Sequence, residues 1–236
     1  MNYRLVLSLI FTTFLAFTVE AQYFLTPYES FSRQKKSYIT MDDGTEVIGK
    51  IKKIKRKKGL IEEISILDEK GKKRSIKPAG IRFMYLPPSG LDQLNRSLQK
   101  VYDATQWDDV ELEADLIKDG YAYFEQAEVF VKKKKRTLLM QLLNPTSCRK
   151  MRVYHDPLAM ESASMGIGGF TMAGGGDKSY YFKKGDETAV RVKKKNYRSL
   201  YYNLYGHCSK LEQDIKSIKW QDVEVHVYEY DKNCIE

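Results

Sequence analysis

The chain has 236 residues, 42% hydrophobic and 12% aromatic, which excludes a disordered polymer and is enough for one large domain or two small ones. Three cysteines exclude a disulfide-dense scaffold. The net charge of +9 is uneven: residues 33–82 hold 16 Lys and Arg against 7 Asp and Glu, residues 83–120 hold 3 against 8, and residues 121–236 hold 20 against 14. An acidic segment between two basic ones serves either docking within the molecule or an external polyanion.

The N-terminus reads as an export signal. Met1-Asn2-Tyr3-Arg4 is a short positive start, and residues 5–17 (LVLSLIFTTFLAF) form an apolar run too short for a comfortable membrane span. Val19-Glu20-Ala21 places small residues at the −3 and −1 positions of a cleavage site, so residues 1–21 are the expected signal peptide and Gln22 the new N-terminus. The competing reading is an uncleaved anchor helix. No Cys stands just after the apolar run, which argues against a lipid anchor, and no later apolar stretch approaches 18 residues. The expected compartment is the periplasm or the exterior, with association at the outer membrane left open.

Residues 22–86 read as strands. Tyr38-Ile39-Thr40-Met41 ends at the turn Asp42-Asp43-Gly44. Val47 opens the next strand, Lys57-Lys58-Gly59 breaks it, residues 61–67 alternate, and Asp68-Glu69-Lys70-Gly71 turns the chain again. Ser75-Ile76-Lys77 and Ile81-Arg82-Phe83-Met84-Tyr85-Leu86 complete about five strands, a number suited to a small barrel. The strand ending in Asp43-Gly44, the strand TEVIGKI with Gly49 inside it, then ISILDEKGKK and a closing IRFMYL resemble Sm-like and SH3-like barrels.

Pro87-Pro88-Ser89-Gly90 ends the last of these strands. Residues 87–120 then read as an acidic helical connector. Ser89 caps a helix with Leu91, Leu94, Leu98, Val101 and Tyr102 on one face, and Asp108 with Glu111 starts another that Gly120 closes.

Residues 121–236 return to strands: two flank the basic tip Lys132-Lys133-Lys134-Lys135-Arg136, Met151-Arg152-Val153-Tyr154 is a third, and residues 165–172 and two later runs make about six. Two helices end the chain. Tyr197, Leu200, Tyr201, Leu204, Cys208, Leu211 and Ile215 share one face, and Trp220, Val223, Val227 and Tyr230 share another. As an antiparallel pair these helices bring Cys208 to Cys234, leaving Cys148 as a free thiol. The segments FVKKKKRTLLMQLLNP, MRVYHDP, DKSYYFKKGDETAVRVKKKNY and the run from Trp220 to Cys234 resemble exported proteins of unknown function from Gram-negative bacteria of the Bacteroidota kind, a likeness that implies a compartment and no site.

The candidate chemistry is sparse. The glycine-rich stretch from Gly166 to Gly176 has Asp177 where a phosphate loop needs Lys, and Thr171 stands at the third glycine position of the dinucleotide fingerprint. His155-Asp156 is the one His–Asp neighbour pair, but no nucleophile elbow frames Ser162 or Ser164, so a surface turn before Pro157 is expected there. His207 and His226 have no partner at the spacing of a helical metal pair, and no zinc spacing of cysteines occurs. No cofactor, metal or catalytic residue is assigned; a carboxylate pair set by the fold stays open, and with it a hydrolase of unknown substrate as the third reading.

What remains is basic surface: Lys52, Lys53, Lys55, Arg56, Lys57 and Lys58, then Lys132, Lys133, Lys134, Lys135 and Arg136, then Lys193, Lys194 and Lys195 with Tyr197, Tyr201 and Tyr202 nearby. Two uses compete, lysine protection of hairpin tips and edges against aggregation, and binding of an acidic glycan, lipopolysaccharide or another envelope protein. The expected architecture is α+β: a small N-terminal β-barrel, a helical connector, and a larger antiparallel β-sheet with two C-terminal helices. The expected function is that of a non-catalytic envelope structural or binding protein, with polyanion binding as its alternative.

Overall fold

The computed structural model describes residues 24–28, 30–90, 112–159, 179–206, 208–213 and 216–234. The expected signal segment with its cleavage site, the part of the expected helical connector at 91–111, the glycine-rich stretch, Ser162, Ser164 and His207 lie outside the described residues.

The protein is mixed α+β, built on one antiparallel sheet of seven strands. β1 (Ser37–Met41), β2 (Glu46–Lys57), β3 (Leu60–Asp68) and β4 (Lys73–Ile76) form a meander, and β5 (Ile81–Leu86) returns to the far side of β1. Local chemistry makes the turns. Gly44 takes φ 84° while Asp43 Oδ1 accepts the Thr45 amide at 2.8 Å, and Gly71 takes φ 75° while Asp68 Oδ1 accepts the Lys70 and Lys72 amides at 3.1 and 2.8 Å.

β6 (Ala122–Val131) and β7 (Lys134–Gln141) extend this same sheet, giving the order β4-β3-β2-β1-β5-β6-β7. No closed barrel forms among the described residues, because the fifth strand takes β6 on the edge that would have closed it, with Phe83 opposite Glu125 and Leu86 opposite Ala122. The reason is legible in its side chains. Met84 and Leu86 fill one core while Phe83 and Tyr85 pack into another, so β5 is buried on both faces, as an interior strand is.

A second antiparallel sheet has the order β10-β9-β8, from β8 (Met151–His155), β9 (Ser179–Lys184) and β10 (Val190–Lys193). The larger sheet is thus the first one, and only three of the strands after residue 121 belong to the second. The sheets join where Phe130 N–H donates to Ala189 O at 2.9 Å and Leu143 N–H to Val153 O at 2.8 Å.

Alternation along the strands sorts side chains into three cores. Ile39, Ile64, Ile66, Met84, Leu86 and Phe124 fill one face of the large sheet. Tyr85, Tyr123, Val129 and Met140 on its other face meet Tyr154 and Tyr181 of the small sheet. Met151, Val153, Tyr180, Phe182 and Val192 on the far face of the small sheet pack against the C-terminal helices. The N-terminal strip joins them, with Phe24 edge-on to Tyr180 at 5.4 Å.

Three short helices complete the described chain. α1 (Ala114–Lys118) buries Ile117 between the sheets' tyrosines. α2 (Tyr197–Tyr205) stops at Gly206, φ 57°, well before the Ile215 expected from periodicity. α3 (Val223–Asn233) follows a 3-10 turn at Trp220–Asp222, so Trp220 precedes the helix rather than belonging to it.

Candidate functional site

The basic strand β2 owes its geometry to two irregularities in its pairing with β3. Register shifts lie between Ile51 and Lys53 and between Lys55 and Arg56. Before the first, Val47, Gly49 and Ile51 face the core and Lys50 faces out; beyond it Ile54 packs on the core, so Lys53 and Lys55 face out beside Lys52, the extra residue. Without that bulge, alternation would send Lys53 and Lys55 into the core face. Beyond the second shift Arg56 lies opposite buried Ile61, on the core side. There Arg56 Nη1 donates to Gly59 O at 3.1 Å and the guanidinium stands 6.0 Å from the Phe31 ring centroid.

Arg56, though exposed, therefore closes its own turn from the other side of the strand, and the other five predicted residues are exposed as well. Lys55 and Lys57 reach one shared acid, Glu62, at 3.3 and 3.8 Å. Lys52, Lys53 and Lys58 have no carboxylate partner among the described residues. Sequence reasoning missed Lys50 and Lys73, which flank Leu67 of β3 in one cross-strand row and are both exposed. The signal for Lys73 was its register with Lys50 across β3, which no single strand's pattern contains.

The hairpin tip is anchored. Gly59 has φ 74°, and a Cβ there would stand 2.3 Å from Pro157 O, so the arm of β2 and β3 rests on the turn after β8. Of the connector's acids, Glu113, Asp115 and Asp119 are among the described residues, and none of the three pairs with the β2 lysines, while the Glu113 amide donates to Tyr85 Oη at 2.9 Å.

The second basic run caps the β6–β7 hairpin. Lys132 and Lys133 take φ 49° and 68°, left-handed backbone that favours glycine, and Lys132, Lys133, Lys134 and Arg136 are exposed without a described acid partner. Lys135 pairs with Glu128 at 3.0 Å. In the third run Lys194 and Lys195 are exposed, but Tyr197 and Tyr201 are buried, leaving Tyr202 as the exposed aromatic nearby.

The other ionisable candidates serve packing. Asp156, expected on a surface turn, is fully buried: its Oδ2 accepts from Ser179 Oγ at 2.6 Å and from Arg191, and its Oδ1 accepts the Leu158 amide at 3.1 Å. Between the sheets Glu125 binds Arg152 and accepts Tyr154 Oη at 2.7 Å. Burial pushes the Tyr154 and Tyr123 hydroxyls well above the usual phenol range and that of Tyr85 up to about 12. His226 packs among Tyr197, Tyr201 and Tyr205, its Nδ1 2.7 Å from Tyr197 Oη.

Cys208 and Cys234 form a disulfide with Cα atoms 5.3 Å apart, tying the segment after α2 to the end of α3. Cys148 is a buried free thiol that donates to Pro145 O at 3.5 Å, and burial pushes its pKa up to about 12. Among the described residues no group of three or more His, Cys, Asp or Glu side chains is placed to hold a metal ion, and no helix is long and apolar enough to cross a membrane. Comparison with protein-family models, curated proteins and solved structures finds no match to this chain.

Proposed function

We propose that this is an exported, non-catalytic binding protein of the bacterial envelope whose basic face takes a polyanion such as an acidic glycan or lipopolysaccharide. One observation carries the reading: the outward lysines of β2 and the β6–β7 tip are exposed, and most have no acid partner among the described residues. A charge surface used for internal docking would meet the connector's acids, and those among the described residues, Glu113, Asp115 and Asp119, form no ion pair with these lysines. The Cys208–Cys234 bridge supports an oxidising compartment. Support for a binding rather than a catalytic role comes from Asp156 and Glu125, whose carboxylates are engaged by hydrogen bonds and cations inside the packing.

Retention of the purified protein on immobilised heparin at low ionic strength tests this, with elution sharply dependent on salt. Lipopolysaccharide micelles provide the second ligand. A protein that flows through heparin at low salt and ignores lipopolysaccharide refutes the reading.

A further inference from the structure

The geometry points to the outward face of β2, with Lys73 of β4 beside it, as a binding site for one linear acidic glycan laid along the strand; this rests on the polyanion reading above and deepens it. Lys50, Lys52, Lys53, Lys55 and Lys57 occupy a single face of a single strand because the first bulge resets the alternation; from Ile54 onward regular alternation puts Lys55 and Lys57 outward and Arg56 on the core side, the second shift being an extra residue, Glu62, in β3. At a rise of about 3.4 Å per residue the row is about 24 Å long, with cationic groups mostly about 7 Å apart. Like charges at that spacing repel, and Glu62, at the tip end, is the one acid that pairs with this row among the described residues. A chain of regularly spaced anions relieves the repulsion along the whole length, which a compact anion cannot do.

The neighbouring strands select the class of polyanion. On this face β3 and β4 contribute Glu63, Ser65, Leu67, Lys73 and Ser75. The cross-strand rows are Lys50, Leu67, Lys73 and Lys53, Ser65, Ser75. Ser65 Oγ is buried, and Ser75 Oγ donates to Glu63. None of these side chains is aromatic, and Tyr38 of β1, opposite Ile48 on the same face, is half-buried against Tyr121, so the lysine row has no exposed aromatic platform on which nucleic-acid bases would stack. Among the described residues the exposed large hydrophobics are Tyr202 and Val225, both outside this sheet, so no apolar wedge accompanies the lysines into a bilayer. Cations in a line with neither an exposed aromatic nor an exposed large apolar side chain beside them suit a sulfated or uronate-bearing carbohydrate.

Size-defined heparin oligosaccharides, with oligothymidylate of matched charge as comparator, test the assignment against the purified protein. The expected affinity rises with oligosaccharide length until the chain spans about 24 Å and then levels. The variant K50E/K53E/K73E loses about tenfold or more in affinity at fixed salt, and K132E/K133E/K134E changes it by less than about threefold. The milder K50Q/K53Q/K73Q, checked by circular dichroism, gives the same ordering should charge reversal unfold the arm. If the β6–β7 variant abolishes binding and the β2 variants do not, this site is wrong while the polyanion reading stands. Oligothymidylate bound as tightly as heparin of equal charge overturns the glycan class. No binding of any polyanion removes both readings and leaves the lysines as protection of the arm's edge.

Discussion

His226 is 3% exposed on α3, its ring flanked by Tyr197, Tyr201 and Tyr205 of α2, with Gln213 Nε2 3.4 Å from its Nε2 and Asp222 one turn upstream. Burial lowers its pKa from the usual value, and the Asp222 carboxylate only partly opposes that. The unfolded chain then binds a proton that the folded one refuses. Stability is unaffected well above pH 6.5 and falls as pH drops through the unfolded value toward the depressed folded one. Thermal melting between pH 8 and pH 5 is expected to show this fall, and His226→Gln is expected to flatten it over the same window. An unchanged slope in the variant would assign the acid sensitivity to other groups. The residue scale also shows why Gly49 stands mid-strand: a Cβ there would lie 2.2 Å from Leu67 O, so the glycine serves the close crossing of β2 and β3 rather than a barrel bend.

Elements are joined by polar pairs whose members lie far apart in sequence. Glu125 on β6 and Arg152 on β8 cross the space between the two sheets, their side chains 13% and 29% exposed, with Tyr154 completing the contact. Removing one member leaves a charge stranded against the tyrosines. Arg152→Met is expected to cost about 3 kcal/mol, while the double variant E125Q/R152M recovers a large part of that loss. Denaturant unfolding of the two single variants and the double variant measures the coupling, and strictly additive effects would contradict it. At the same scale, the helices show what periodicity misses. The apolar spacing from Tyr197 to Ile215 reads as one long helix, yet Gly206 in left-handed backbone ends α2, and Leu211 reaches the same core from a 3-10 turn. A pattern of buried positions does not distinguish a continuous helix from two segments folded onto one core.

For the whole molecule, the export reading makes a direct prediction: the protein recovered from outside the cytoplasm has lost residues 1–21 and begins at Gln22, and carries one disulfide, Cys208–Cys234, with Cys148 reduced. Intact-mass measurement before and after thiol alkylation reads both features, and a retained Met1 would contradict processing. Reduction is expected to destabilise the fold by about 3 kcal/mol, since the bridge closes a 26-residue separation. By itself the sequence determined the mixed α+β class, the strand-and-turn grammar of residues 38–86, the β6–β7 hairpin and the approximate positions of the C-terminal helices, because alternation, glycine turns and helical spacing are local properties. Only the tertiary structure decided that β5 accepts β6 instead of closing a barrel, that Asp156 is buried under Arg191, and which lysines share a face. Each of these depends on pairing between segments distant in the chain, and a one-residue bulge in β2, invisible in composition or periodicity, is what turns a scattered basic run into a row.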